Sequence, residues 1–319
     1  MNRSYQIALR YAAALAVLAA AGFLLPQWAV FLLNLALSKG LVVLGLLVLW
    51  RTGLISFGQA LYFCIGGYVV GMAGLYLDLH DAFVLLAFGT ALSLAVAVLV
   101  GFLVARYRQI FFAMLSLAFS MILYGVLVKT EALGSTDGFN VGRPTFLGYA
   151  PEGEALAIVS YLFTLAASAA GAFTVWLYLR STLGHLTTAI RDNEVRVEYL
   201  GVSVRGAIHA KVVLAGALAG AGGVLSALAV GHVDPEMAYW TTSGEFVFVT
   251  ILAGTGNVVA PFLGSALFEL LRTYAFQYTP YTWQMVLGGT LLLLILFLPD
   301  GIWSLLSRRK AAPSTRREA

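Results

Sequence analysis

Long apolar runs recur along the whole chain, and they restrict its fold more than any other feature of the sequence. A run of about 20 apolar residues is long enough to cross the ~30 Å hydrocarbon core of a bilayer as a helix. Only 11% of the residues are charged, against roughly 25% in soluble domains. The sequence therefore predicts an all-α polytopic membrane protein with about eight spanning helices, over 8–25, 28–50, 54–77, 82–105, 109–128, 156–179, 208–231 and 282–305.

The distribution of Arg and Lys between these runs predicts the orientation of the chain, because cytoplasmic loops are enriched in both residues. Residues 1–307 would form the transmembrane domain and 308–319 a basic cytoplasmic tail, with both termini inside. The net charge of +4 then reflects inner loops and does not indicate nucleic-acid binding. The inside segments would be Arg51, Arg106, Arg108 and the stretch 180–211, and the outside segments 78–81 and 129–154.

One apolar segment, 243–271, contains a visible break. A single crossing here would leave the basic tail outside, so we predict a re-entrant hairpin of two helices. The break is the stretch "GTGNVVAP", in which glycines free the backbone and proline lacks an N–H. Irregular backbone at membrane depth survives only inside protein or beside water, which makes the break a candidate part of a translocation path, through Gly254, Thr255, Gly256 and Asn257. A short extracellular turn between two half-length helices is the alternative.

A second segment, "LISFGQALYFCIGGYVVGMAGL", places polar residues where a lipid-facing helix would carry leucine. Ser56 and Gln59 are therefore further candidates for the translocation path. The glycine pairs in this segment and in "GALAGAGG" are typical of close helix packing. Because each half of the chain holds one polar or broken segment, two pseudo-symmetric halves would be compatible with the pattern.

Several kinds of catalytic chemistry have no residues to support them. No G-x-x-x-x-G-K-[ST] motif occurs, so a nucleotide site of the P-loop type is not expected. The four histidines show no metal-ligand spacing and Cys64 is the only cysteine, so we expect no metal, cofactor or enzymatic activity. Glu245 and Glu269 are expected near the ends of their segment, in contact with interfacial water.

The stretch 180–211 combines charges of both signs with an apolar pattern. Leu186, Ile190, Val197 and Leu200 recur at helical spacing, which predicts one apolar face, and Gly201 ends the pattern. Three interpretations are open: a helix that docks another protein, a membrane-surface helix, or a solvated loop. A surface helix would favour Lys and Arg on its polar face, whereas mixed charges favour docking.

The sequence "LGHLTTAIRDNEVRVEYLGV" resembles the cytoplasmic coupling segment of branched-chain amino-acid ABC transporter permeases of the LivM type. Four more stretches resemble the same family in the same order: "LISFGQALYFCIGGY", "STDGFN", "ALAGAGGVLSAL" and "GEFVFVTILAGTGNVVAPFLGSAL". The resemblance spans roughly residues 40 to 300. It implies a permease subunit of an ATP-driven importer in a bacterial inner membrane.

The resemblance also implies partners. A periplasmic binding protein would deliver the solute, a second homologous permease subunit would complete the path, and two cytoplasmic ATPase subunits would dock on coupling segments near 180–207 in this chain. The solute would be a branched-chain amino acid or a related amide or organic acid. The residues implied in ATPase coupling are Ile190, Arg191, Asp192, Glu194, Arg196, Leu200 and Gly201.

A secondary transporter driven by an ion gradient is the alternative function. It would bind its solute near Gln59 and Asn257 and use Glu245 or Glu269 as the coupling group. The charged stretch 180–211 would then have no evident purpose, which favours the importer.

Overall fold

The computed structural model describes residues 3–298 and 301–307, so the predicted basic tail 308–319 lies outside the described residues. The described chain is mainly α-helical. Its two strands, β1 and β2, each have two residues and pair antiparallel. The α-helices are α1 (Arg3–Leu24), α2 (Gln27–Trp50), α3 (Gln59–Leu77), α4 (Ala82–Val104), α5 (Gln109–Lys129), α6 (Glu154–Arg180), α7 (Thr182–Asp192), α8 (Glu194–Tyr199), α9 (Val204–Val230), α10 (Trp240–Ala253), α11 (Ala260–Tyr278), α12 (Trp283–Phe297) and α13 (Ile302–Ser307). The strands are β1 (Phe139–Asn140) and β2 (His232–Val233).

Six of the described helices, α2 to α6 and α9, are long and apolar enough to cross a membrane. They match the predicted spans, although α3 begins at Gln59 rather than at residue 54. The span predicted over 282–305 is divided into α12 and α13. The fold is thus an all-α multi-span architecture, as predicted. Six of the described helices meet the length and hydropathy of a span, so the predicted count of eight is not confirmed.

Helix α9 lies at the centre of the bundle, against α2, α3 and α4. Glycine makes these crossings close. A Cβ added to Gly66 would meet the backbone of Gly220, and one added to Gly223 would meet the carbonyl of Phe63. Gly45 packs in the same way against the backbone of Ala215. Small residues allow such backbone contact within a membrane, so the glycines of these segments serve packing.

The bundle has two distinct ends. One end, here called the long-loop end, carries residues 130–153 between α5 and α6. There Asp81 caps α4 by accepting bonds from Phe83 N and Val84 N, and it also accepts one from Leu147 N. The opposite end carries α7 and α8 between α6 and α9, and is here called the α7–α8 end.

After α9 the chain turns back into the bundle in irregular form. A 3-10 turn, Pro235–Ala238, packs against α3 and α5. The hydroxyl of Ser120, near the middle of α5, donates to the carbonyl of Ala238 at 2.7 Å. Helix α10 therefore begins midway along the bundle and needs only 14 residues to reach the α7–α8 end. Irregular backbone at this depth is stable because protein groups satisfy it.

Candidate functional site

The α7–α8 segment (182–201) is built from two short capped helices. The Ser181 hydroxyl accepts a bond from Gly184 N at the start of α7. The Asn193 side chain interrupts the helix and caps α8 by accepting from Arg196 N at 3.0 Å. Polar side chains of this kind satisfy the N–H groups that a helix start leaves unpaired. Gly201, with φ of 80°, ends α8 as predicted.

Two apolar side chains attach this segment to the bundle. Ile190 and Val197 are each 2% exposed and belong to the main hydrophobic cluster. Leu200 is instead 79% exposed. Of the predicted apolar face, Leu186, Ile190 and Val197 do point into the bundle. Leu200 does not, because it follows the end of α8 at Tyr199 and no longer keeps the helical spacing.

An ion pair provides a third attachment. Arg108, just before α5, donates from Nε to both carboxylate oxygens of Glu194 at 2.8 Å. Bonds between ionised partners are stronger than neutral ones. Glu194, predicted as an ATPase contact, thus binds within the chain and positions the start of α8.

The surface of the segment that faces away from the bundle carries both apolar and charged side chains. Val195, Tyr199 and Leu200 are 59%, 88% and 79% exposed. Val195 and Tyr199 are not among the residues predicted from the sequence, although a helix that begins after Asn193 would have indicated them as exposed positions. Of the predicted coupling residues, those exposed around this patch are Arg191, Asp192, Arg196, Leu200 and Gly201.

The predicted path residues of the first half lie in the core. Ser56 is 4% exposed and precedes α3 in non-helical backbone. Gln59 is 1% exposed and begins α3, and its side-chain oxygen has no hydrogen-bond partner among the described residues. Next to it, Ala60 N donates to the hydroxyl of Ser243 in α10. The structure therefore brings the two predicted segments together at the start of α3.

The break after α10 lies at the α7–α8 end. The Arg51 guanidinium donates to the carbonyl of Thr255 at 2.9 and 2.6 Å, and burial lowers the pKa of Arg51 below its usual value. The side chain of Asn257 accepts from Val259 N, and Gly254 has a φ of 78°. This turn is at an end of the bundle, not midway along it where the sequence analysis expects the break. Gly256 packs beside Trp303.

Four charged side chains form a second site between α2, α10 and α11, here called the charge cluster: Lys39, Glu245, Glu269 and Arg272. Lys39 Nζ lies 2.6 Å from Glu269 Oε1 and 4.0 Å from Glu245 Oε2. Arg272 Nη1 lies 3.4 Å from the same Glu245 oxygen. Ion pairs of this kind are the form in which charges persist inside a bundle.

The charge cluster lies deeper in the bundle than its sequence positions predict. Glu269 is 4% exposed near the middle of α11, and its partner Lys39 lies near the middle of α2. The two glutamates therefore lie midway along the bundle, and the expectation that they contact interfacial water is wrong. The cluster also includes Lys39, a residue that the sequence analysis missed, although a lysine inside an apolar span is itself a functional signal. No group of three or more His, Cys, Asp or Glu in the described part of the chain could hold a metal ion.

Long apolar helices, with ion pairs midway along them and an amphipathic segment at one end, define a polytopic membrane protein. A family model described as branched-chain amino acid transport system / permease component matches residues 28–296, and the chain belongs to this family. Members of the family are transport components, not enzymes.

Individual relatives agree with this assignment. The high-affinity branched-chain amino acid transport system permease protein LivM of Escherichia coli K12 is 26% identical over 315 residues, which cover 91% of this chain and 73% of the relative. LivM of Salmonella typhimurium is 26% identical and covers 82% and 67%. The autoinducer 2 import system permease protein LsrC of Klebsiella pneumoniae is 26% identical and covers 54% and 49%. No solved structure matches the chain.

Proposed function

We propose that this chain is the permease subunit of an ATP-driven importer for branched-chain amino acids or related small solutes. A periplasmic binding protein would deliver the solute, and a second homologous permease subunit would complete the path. Two cytoplasmic ATPase subunits would supply the energy. The observation that carries the proposal is the exposed surface of the α7–α8 segment. A permease of this family needs a separate ATPase subunit, and this surface has the apolar and charged residues that could bind one.

The chemistry of that surface favours a protein partner. Val195, Tyr199 and Leu200 expose apolar area together, and an exposed apolar patch marks an interaction site. Asp192 and Arg196 beside it carry opposite charges. Complementary charges fix the orientation of a protein partner, whereas a membrane surface would favour basic residues alone. The α7–α8 end would therefore face the cytoplasm, as the Arg and Lys distribution predicts.

Because the segment is attached to the core, a movement of the segment would be transmitted to the bundle. Ile190 and Val197 tie it to the hydrophobic cluster, and Ser203 caps α9 immediately after it by accepting from Gly206 N. Since α9 is the central helix, a displacement of α8 by an ATPase would move the packing of α2, α3 and α4. Bistable interfaces amplify small shifts of this kind.

The proposed path runs through the region where α3 meets α10. Gln59 supplies a buried amide oxygen and Ser56 a buried hydroxyl. The turn Gly254, Thr255, Gly256 and Asn257 would form its inner mouth, since Arg51 holds that turn at the α7–α8 end.

An ion-gradient transporter fits the structure less well. Its coupling carboxylate must exchange a bound proton or cation. Glu269 is instead paired with Lys39 at 2.6 Å, and Glu245 lies near both Lys39 and Arg272. Each acid therefore pairs with a base of the same chain, and uptake of a proton or cation alone would leave that base buried without its counter-charge.

The test is uptake of radiolabelled leucine by cells that express the complete transporter. Selective loss of ATP should abolish uptake, and collapse of the proton and sodium gradients at constant ATP should leave at least half of it. The reverse result would establish the gradient-driven alternative.

Charge reversal tests the docking surface. Asp192→Arg should lower ATP-dependent uptake at least tenfold while the protein still inserts into the membrane. The reason is that the new positive charge would repel the basic group of the ATPase that Asp192 is proposed to attract. A matched control is Asp137→Arg in the loop at the opposite end, which should retain uptake. Equal uptake by Asp192→Arg and the unaltered protein would remove the docking role.

A further inference from the structure

The charge cluster is partly open to the outside of the chain, although it lies midway along the helices. The side chains of Glu245 and Arg272 are 26% and 37% exposed. A charge exposed to hydrocarbon at this depth costs at least roughly 2.5–3.5 kcal/mol, and such residues accordingly face protein or a water-filled cavity. This side of α10 and α11 is therefore expected to border protein or water rather than lipid.

A small cavity adjoins the cluster. Lys39, Glu245 and Glu269 line it, and its volume is about 10 Å³, close to the size that admits one water molecule. Ser265 also lines it, and the hydroxyl of Ser265 is buried without a hydrogen-bond partner among the described residues. The rest of the wall is apolar and consists of Val43, Phe246, Val249 and Phe268.

We propose that the charge cluster and this cavity are the solute-binding site of the translocation path, and that the site takes the head group of a zwitterionic α-amino acid. The ammonium group would pair with Glu245 and Glu269, and the carboxylate with Lys39 and Arg272. The proposal rests on the permease function proposed above and adds the location and chemistry of its binding site.

Charge balance supports this ligand class. The cluster contains two acids and two bases, so its formal charge is zero. A zwitterion is also neutral and can replace each internal ion pair by one with the ligand. Buried charges are tolerated only when they remain paired, and this exchange keeps all of them paired. A branched apolar side chain would then contact Phe246 and Phe268.

The present cavity corresponds to a closed site, since it holds about one water molecule and not an amino acid. Opening requires α11 to separate from α2, whose contact includes Gly40 against the ring of Phe262. Helices α10 and α11 pack closely through Gly264 against Ala253, so they would move as one hairpin. Closure of this kind around a ligand is a common transporter and enzyme motion.

The first test is equilibrium binding of radiolabelled leucine to the purified complex of permeases and ATPases in lipid nanodiscs, without the binding protein. Leucine should bind. Two competitors, 4-methylpentanoate without the ammonium group and 3-methylbutylamine without the carboxylate, should each bind at least tenfold more weakly, because each leaves buried charges unpaired. Absence of leucine binding, or equal competition by either analogue, would overturn the site.

Charge exchange separates binding from a purely structural role. Lys39→Glu combined with Glu269→Lys restores this ion pair, and Arg272 still neutralises Glu245 beside the new carboxylate at position 39. The complex should therefore assemble, with a melting temperature well above that of Lys39→Glu alone. Leucine binding should nevertheless fall at least tenfold, because the positions for ammonium and carboxylate are exchanged. Normal leucine binding by the double variant would show that the pair serves the fold alone.

A surface control and an uptake assay complete the design. Glu152→Gln removes an exposed ion pair with Arg143 and should leave leucine binding unchanged. ATP-dependent leucine uptake by the unaltered transporter reports on the proposed function separately. Uptake without leucine binding in nanodiscs would overturn the site while the importer function stands, and absence of ATP-dependent uptake would overturn the function itself.

Discussion

Two lysines lie inside the apolar bundle, and their surroundings differ. Lys39 has a carboxylate partner at 2.6 Å in Glu269. Lys211, in α9, is 0% exposed, and its Nζ has no hydrogen-bond partner among the described residues. Burying a polar group without a partner costs free energy that a paired group avoids. The same residue type should therefore have opposite effects on stability at these two positions.

Lys39→Met and Lys211→Met form a matched pair for this prediction. Lys39→Met leaves the carboxylate of Glu269 buried and unpaired, and should lower the free energy of unfolding by about 3–5 kcal/mol. Lys211→Met removes an unpaired polar group at nearly constant volume, and should raise it by about 1–3 kcal/mol. Thermal unfolding of the purified protein in detergent measures both. A lower free energy of unfolding for Lys211→Met would indicate that the ammonium group of Lys211 has a hydrogen-bond partner.

At the scale of elements, the crossing of α3 and α9 depends on backbone contact. Gly223 lies against the carbonyl of Phe63, whereas Gly125 in α5 has nothing within 4 Å of an added Cβ. Overpacking a filled contact typically costs about 1–3 kcal/mol, occasionally more. The two glycines thus offer the same chemical change in a filled and an open environment.

Gly223→Ala should lower the free energy of unfolding by at least about 1 kcal/mol, because the new methyl group forces α3 away from α9. Gly125→Ala should be neutral or slightly stabilising, since alanine is the better helix former. Denaturation of both variants under identical detergent conditions checks the difference. Equal stabilities would show that the crossing tolerates a wider spacing.

The attachment of α8 to α5 is a second element-scale feature. Glu194→Arg should abolish most ATP-dependent uptake, because two arginines would repel where Arg108 and Glu194 now pair. The double variant Arg108→Glu with Glu194→Arg should recover uptake to within about threefold, since the pair is re-formed. Failure of the double variant to recover would mean that Glu194 contacts the ATPase directly.

At the scale of the whole molecule, the two ends of the bundle should face opposite sides of the membrane. Asp137 lies in the loop at the long-loop end, and Asp192 lies at the α7–α8 end. Cys64 is buried and is the only cysteine of the sequence, so Cys64→Ala provides a background for single introduced thiols.

An impermeant maleimide should label Asp137→Cys in intact spheroplasts, and should label Asp192→Cys only after the membrane is opened. The physical reason is the excess of Arg and Lys at the α7–α8 end, which holds that end inside. Labelling of Asp192→Cys in intact spheroplasts would invert the orientation and remove the proposed contact with cytoplasmic ATPases.

Residue type and local spacing were enough to predict most of the architecture. Six predicted spans match helices long enough to cross a membrane, because the length of an apolar run is itself the physical requirement for a span. The predicted end of α8 at Gly201 is confirmed for the same local reason. Family membership likewise follows from ordered local motifs, and the family model matches residues 28–296.

The charge cluster and the depth of the chain breaks depend on tertiary packing. Lys39 and Glu269 are 230 positions apart in the sequence, and only the packing of α2 against α11 brings them together. The re-entry at Pro235–Ala238 and the end position of the 254–257 turn also follow from contacts with Ser120 and Arg51. Local pattern sets which segments are helical, whereas the pairing of buried charges is decided by which helices pack together, since each charge needs a partner that its own segment does not provide.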